Sequence, residues 1–281
     1  MKIIDVHTHV GNILGGDSDS FLARLSKKLS YANVYLGRIN HLFCRQMKSS
    51  MEKLAGEADE DKLLKAMKQT GISHSVIVAL EPHVQTDDIV DSASANKGFI
   101  PFMSVHPDDP DKLSKMKKFQ TRGCRGIKLH PVIQNFLPSE KSAYEIYEEA
   151  QSLGLPVLFH TGFFPCKNKF QALIEHFEGI PLDFPRLRII VGHMNMFEPE
   201  RAIRFCRKFG NVFLETSKQP ARNVRKAINK VGTDRILFGS DWPFGSQEIS
   251  LRIVDKAVKG NSGILEKILY SNSEDLLSLC N

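Results

Sequence analysis

The strongest constraint on this fold is a recurrence. Eight short β-branched or apolar runs, KIIDVHTH (2–9), HSVIVAL (74–80), FIPFMSV (99–105), GIKLH (126–130), PVLFHT (156–161), RIIVGH (188–193), VFLETS (212–217) and RILFGSD (235–241), alternate with helix-compatible stretches. Several of the runs are continuously apolar, as strands covered on both faces must be. The connections read as helices over 52–70, 84–96, 110–120, 139–153, 168–179, 197–209, 219–231 and 247–258, with a ninth over 263–279. Gly71, Gly98, Gly154, Gly210 and Gly232 each sit shortly before the next strand, where a helix-ending glycine belongs. Eight such units in 281 residues predict an α/β (β/α)8 TIM barrel, with 1–281 as one domain. A doubly wound open sheet is the alternative, but no G-x-G-x-x-G opens the first helix.

Residues 11–51 exceed what a barrel loop needs. The stretch SFLARLSKKLSYANVYLGRINHLF predicts a partly helical insertion after the first strand. Its position puts it over the face where barrel active sites form, so it reads either as a lid or as a decorative insertion.

Reactive side chains fall at the carboxyl ends of the predicted strands. Alternation at about 3.3 Å per residue turns His7 and His9 to the same side, within reach of one ion. His-x-His alone is a weak signal, and a lone strand-end histidine is more often simply a satisfied polar residue. The weight comes from His160 ending the fifth strand, His193 the sixth and Asp241 the eighth, all at the edge that carries barrel chemistry. Imidazole nitrogens with a carboxylate and no thiolate suit zinc, with iron, manganese and cobalt as lesser candidates. A bound ion would bring water to a pKa of about 7. Asp241 would then hold that water and shuttle its proton, and His193 would polarise a substrate oxygen or act as a second acid/base group.

In RGIKLHP, Lys128 and His130 share a face and are candidate substrate-binding groups. Lys128 reads as a carboxylate binder, as a bridge to a second metal if carboxylated, or as the partner of a buried acid such as Glu215. His106, after the third strand, is a weaker site candidate that reads first as a loop cap. Trp242, Phe163, Phe164 and Phe244 neighbour the proposed site and are candidates for an apolar wall, Trp242 as a substrate contact.

Composition excludes little but directs the partners. Apolar residues form 42% of the chain and charged residues 25%, an ordinary folded composition. The start lacks the apolar stretch of a secretory signal, no membrane-spanning run is present, and five scattered cysteines without C-x-x-C argue against a disulfide framework. A cytoplasmic protein is expected. The net charge is +6, and residues 12–51 hold six basic side chains against two acidic ones. That excess suits an anionic small-molecule substrate, or is only a solvated helix face. Nucleic acid is disfavoured as a partner because no recognisable module accompanies the charge.

These residues resemble those of a known set. IIDVHTHVG, RGIKLHP, LFHTG, IIVGHMN, FGSDWPFG and the closing NSEDLLSL are similar, in order and over nearly the whole chain, to the amidohydrolase superfamily, in its amidohydrolase-related branch of metal-dependent TIM barrels. The resemblance implies one divalent ion held by His7, His9, His160 and Asp241, with His193 as the catalytic histidine of the sixth strand. Zinc is the expected ion, and carboxylation of Lys128 would make room for a second. The branch contains hydrolases, in which Asp241 would activate water, lactonases, and nonoxidative decarboxylases of the aminocarboxymuconate-semialdehyde decarboxylase type.

The leading expectation is therefore a metal-dependent hydrolase cleaving a C–N or C–O bond of a small carboxylated substrate. Decarboxylation is the first alternative, with phosphodiester cleavage a further enzymatic one. A noncatalytic or nucleic-acid-associated barrel is the alternative from another class, disfavoured because all five proposed metal-centre and catalytic side chains are intact. A homo-oligomer is compatible with this reading, and no membrane association is expected.

Overall fold

Burial on both faces decides where the strands form. In the computed structural model, which describes residues 1–13, 49–162 and 170–279, eight strands lie within the eight predicted runs. They are β1 (Ile4–Thr8), β2 (His74–Val78), β3 (Phe99–Met103), β4 (Gly126–Leu129), β5 (Val157–Phe159), β6 (Ile189–Val191), β7 (Val212–Glu215) and β8 (Ile236–Leu237). All neighbouring pairs are parallel, in the order β1 to β8. The sheet closes where Val6 N–H donates to Phe238 O at 3.0 Å, Asp241 N–H to His7 O and His9 N–H to Trp242 O, both at 2.8 Å. The barrel expected from the eight repeats is the observed fold.

Two apolar layers follow from the alternation. Ile4, Val6, Val76, Val78, Ile100, Phe102, Leu158, Ile190 and Leu237 form the inner cluster. The alternate residues, such as Ile77, Val157, Phe159 and Ile189, join the outer layer beneath the helices. Gly126 is required by this packing, since a Cβ there would lie 2.4 Å from the Phe102 ring.

β1 departs from strict alternation. Asp5 pairs with Ser75 while Thr8 pairs with Ile77, so β1 carries one residue more than β2 over that span. The bulge lets Val6 join the inner cluster and its neighbour His7 also turn toward Lys128 inside the barrel. Asp5 points outward instead, where its carboxylate accepts from Ser240 Oγ at 2.6 Å, Ser240 N at 2.9 Å and Gln247 Nε2 at 2.9 Å. These contacts tie β1, the segment after β8 and the first turn of the following helix together at the barrel seam.

The connecting helices are α1 (Glu60–Thr70), α2 (Thr86–Ala95), α3 (Lys112–Thr121), α4 (Lys141–Ser152), α5 (Ile180–Asp183), α6 (Pro199–Lys208), α7 (Ala221–Val231) and α8 (Gln247–Val258). α1 shows why they form: Asp59 caps its start by accepting from Lys62 N, Leu63 and Met67 bury one face, and Gly71 ends it at φ 72°. Two expected helices are corrected. The 52–70 stretch is divided, because the chain turns at Gly56 and Glu57 before Asp59 caps α1. The 168–179 stretch is in its described part a 3₁₀ turn, Ile174–Phe177, followed by α5 with Pro181 in its first turn. The closing helical stretch is α9 (Ser262–Glu266), a π-helical turn and α10 (Asn272–Leu277), whose Leu276 and Leu277 enter the inner cluster. Most of the expected 11–51 insertion lies outside the described residues, which resume with a helix over 49–55. No described helix is long and apolar enough to cross a membrane.

Candidate functional site

Strand ends and the turns after them bring the candidate residues together. His7 and His9 have ring centroids 5.1 Å apart, and His7 and His193 4.9 Å. Asp241 follows β8 at φ 60°, a left-handed conformation that turns its carboxylate into the cluster. Its Oδ1 lies 3.2 Å from His9 Nε2 and 3.8 Å from His7 Nε2. One donor atom each from His7, His193 and Asp241 falls within 4.8 Å of the others. His160 joins from β5, with Nδ1 3.2 Å from His193 Nε2. All five proposed metal-centre and catalytic side chains thus share one buried cluster.

His193 is delivered by an unusual turn. His193, Met194, Asn195 and Met196 have φ values of 54°, 47°, 61° and 39°, a left-handed run without glycine. The Gln219 side-chain amide donates to His193 O at 2.6 Å and Met196 O at 2.8 Å, satisfying two of its carbonyls. Beneath the turn, the fully buried Glu215 accepts from His193 N at 3.0 Å, from Ser217 Oγ at 2.8 Å and from Ser217 N. The His7 Nδ1 lies 3.1 Å from the same Glu215 Oε2, and His193 Nδ1 lies 2.7 Å from Ser217 Oγ.

Two lysines set the charge of the site. Lys128, only 1% exposed, lies inside the barrel with Nζ 3.0 Å from His7 Nε2. It therefore points to the histidine, while Glu215, which the sequence offered as its partner, serves His7 from the other nitrogen. Burial lowers the Lys128 amine to about 8. Lys218, whose side chain is 29% exposed, sits at the mouth with Nζ 3.3 Å from Asp241 Oδ2 and also donates to Phe244 O.

Burial is the first cause of the histidine shifts. It lowers His7, His9 and His160, and brings His193 down to about 3, so the imidazoles are neutral near pH 7. Burial works to raise the Asp241 carboxyl, but His193, the His9 hydrogen bond and Lys218 hold it well below the usual carboxylate range. The result is a set of neutral nitrogen donors around an anionic oxygen donor.

The remaining candidates separate. His130 stacks on His160 with centroids 3.9 Å apart and rings 9° from parallel. Phe244 meets His9 edge-on at 5.7 Å. Trp242 places its backbone carbonyl on His9 N, but its side chain packs in the outer apolar layer. His106 binds its own loop and Gln134 O, as a cap. Phe163 and Phe164 lie outside the described residues. Sequence reasoning missed Ser217, Lys218 and Gln219, and also Asp5 at the seam. The signal for the first three was their place in ETSKQ at the carboxyl edge of β7, a strand end to which only Glu215, as a partner for Lys128, was assigned.

The donor chemistry fits a divalent ion. Neutral imidazoles and a carboxylate converge, and the buried His9 Nδ1 has no hydrogen-bond partner among the described residues. Fold and site define a (β/α)8 barrel with a candidate metal site at its mouth. A family model described as Amidohydrolase matches residues 4–279, and the chain belongs to that family.

Three comparisons narrow its surroundings. The chain is 28% identical over 175 residues to a dihydroorotase of Helicobacter pylori (strain G27), a match spanning 55% of this chain and 50% of that protein. It is 33% identical over 120 residues to the decarboxylase orsB of Emericella nidulans, spanning 34% of this chain and 36% of that one. The chain thus spans half or less of the length of these curated relatives. A dihydroxybenzoic acid decarboxylase from Polaromonas sp. JS666, solved with manganese and the inhibitor 2-nitroresorcinol, shares the fold. Its TM-score is 0.73 at 16% identity, covering 99% of this chain and 97% of that one.

Proposed function

We propose that this protein is a metal-dependent nonoxidative decarboxylase of a hydroxylated aromatic carboxylate. This reverses the order of the two enzymatic expectations, hydrolysis first and decarboxylation second. The observation that carries the reading is Lys218: a partly exposed cation at the mouth, 3.3 Å from Asp241 Oδ2, where a substrate carboxylate would lie beside the donor cluster. The stacked His130 and His160 rings add a flat face for an aromatic ring. The match to orsB and the fold shared with the Polaromonas decarboxylase support the same chemistry.

In this reading His7, His9, His160 and Asp241 hold the ion and His130 contacts the substrate, while Lys128, first expected to bind substrate, is buried beneath His7 and acts through that ring. When bound, the ion supplies a Lewis acid that orients the substrate oxygens and draws electron density from the ring. Lys218 receives the carboxylate. The bond from ring carbon to carboxyl carbon breaks, carbon dioxide leaves, and the electron pair stays on the ring carbon. That carbon takes a proton from water relayed through the Asp241 carboxylate, and His193 Nε2 holds the proton of a neighbouring ring hydroxyl during turnover and returns it to the product. Imidazole and carboxylate donors suit zinc or manganese, and elemental analysis of protein purified without added metal distinguishes them.

The test is a panel of dihydroxybenzoates given to zinc- and manganese-loaded protein, with carbon dioxide and the arene measured together. Equimolar release supports the reading. Turnover of dihydroorotate or lactones without carbon dioxide overturns it in favour of hydrolysis, the reading that the dihydroorotase match favours.

A further inference from the structure

Glu215 touches two histidines that the proposed function uses differently. Its Oε2 meets three groups: His7 Nδ1 at 3.1 Å, His193 N at 3.0 Å and Ser217 Oγ at 2.8 Å. Its Oε1 accepts from Ser217 N. Two of these partners are backbone N–H groups, which can only donate, and the Ser217 hydroxyl donates as well. Both oxygens therefore act as acceptors, and His7 Nδ1 must carry the proton it shares with Oε2.

The same logic runs one bond further. Ser217 has a single hydroxyl hydrogen and gives it to Glu215, so toward His193 Nδ1, at 2.7 Å, its oxygen can only accept. His193 then carries its proton on Nδ1 and turns a bare, accepting Nε2 toward His160 Nδ1, 3.2 Å away in the site. His7, protonated at Nδ1, likewise presents a bare Nε2, beside Lys128 Nζ and toward Asp241. We infer that Glu215 is a positioning residue that sets the tautomers of His7 and His193 together, directly for the first and through Ser217 for the second.

Gly239 makes this arrangement sterically available. A Cβ at that position would lie 2.2 Å from Glu215 Oε1 and 2.5 Å from Cδ, so any other residue must displace the carboxylate. Glycine on β8's extension thus keeps open the space that the acid from β7 fills. The consequence for function is that the donor nitrogen of His7 and the proton-accepting nitrogen of His193 depend on one shared carboxylate, so losing it disturbs both.

Long-range nitrogen–proton NMR on protein labelled at histidine nitrogen, recorded metal-free and again after zinc loading, tests this, the metal-free spectra reading the tautomers. Both His7 and His193 should show a protonated Nδ1 and a non-protonated Nε2. Glu215→Gln should alter the signals of both rings, and Gly239→Ala should do the same by displacing the carboxylate. Ser217→Ala should alter His193 while leaving His7 unchanged. Zinc affinity should fall about 10- to 100-fold in Glu215→Gln, the usual effect of losing the partner that orients a metal-bound histidine. The affinity arm rests on the proposed metal role of His7, whereas the tautomers do not, so the two can fail separately. An Nε2-protonated His7 or His193 in the unaltered protein overturns the inference whether or not the variants fold. So does a Glu215→Gln variant in which only one ring responds.

Discussion

At the scale of single residues, the site works by placing full charges beside neutral imidazoles. Lys218 is the cation best placed to receive an anionic substrate, because it reaches Asp241 from the open side. Lys218→Met should raise KM for a carboxylate substrate about 10- to 100-fold while changing kcat less, since a charged hydrogen bond contributes about 1.5–3 kcal/mol. Steady-state kinetics on whichever carboxylate is turned over checks this, and a fall in kcat alone would assign Lys218 a different role. Lys128 gives a pH signature. Its amine releases a proton at about 8 in the folded protein but near 10.5 when unfolded. Between those values the unfolded chain binds more protons, so stability rises with pH across the window and is flat below it. Denaturant titrations of metal-free protein should show this rise relative to Lys128→Met, in which the contribution is absent. His7 shows how far a residue's role was legible: its place in H-x-H pointed to a ligand, but its partners, Glu215 and Lys128, lie over a hundred residues away and no spacing reveals them.

At the scale of elements, the strands were legible because burial on both faces is written into their composition, whereas the turns that aim the side chains were not. The left-handed run from His193 to Met196 contains no glycine to announce it. It is held by contacts to another loop, chiefly the Gln219 amide. Gln219→Ala should leave two carbonyls without those donors and destabilise the protein by about 1–3 kcal/mol, measured by urea denaturation. An unchanged midpoint would show that the turn is held by its own packing. The bulge in β1 belongs to the same class of feature. Strict alternation would send Asp5, His7 and His9 to one side, but Asp5 faces Gln247 and Ser240 in the outer layer while His7 faces Lys128 within. Apolar spacing predicts continuous helices over 52–70 and 168–179, but it does not register the capping Asp59 inside the first or the tighter 3₁₀ turn, Ile174–Phe177, inside the second.

At the scale of the whole molecule, the proposed ion joins strands that are distant in sequence but neighbours around the barrel mouth. Loading with zinc or manganese should raise the thermal midpoint, by the equivalent of about 2.7 kcal/mol at a free ion concentration a hundred times Kd. Chelator dialysis should reverse the shift, and a midpoint indifferent to both treatments would argue against a metal joining the strands. The sequence by itself determined the parallel barrel, its eight strands and the strand ends that carry His7, His9, His160, His193 and Asp241. Those features follow from local periodicity and from the rule that barrel chemistry gathers at the carboxyl edge. Only the tertiary structure decided that Glu215 serves both His7 and His193, that Lys128 lies under His7, and that Lys218 faces Asp241. Hydrogen bonds of this kind depend on distances of about 3 Å between side chains from different strands, and such distances exist only once the barrel has closed.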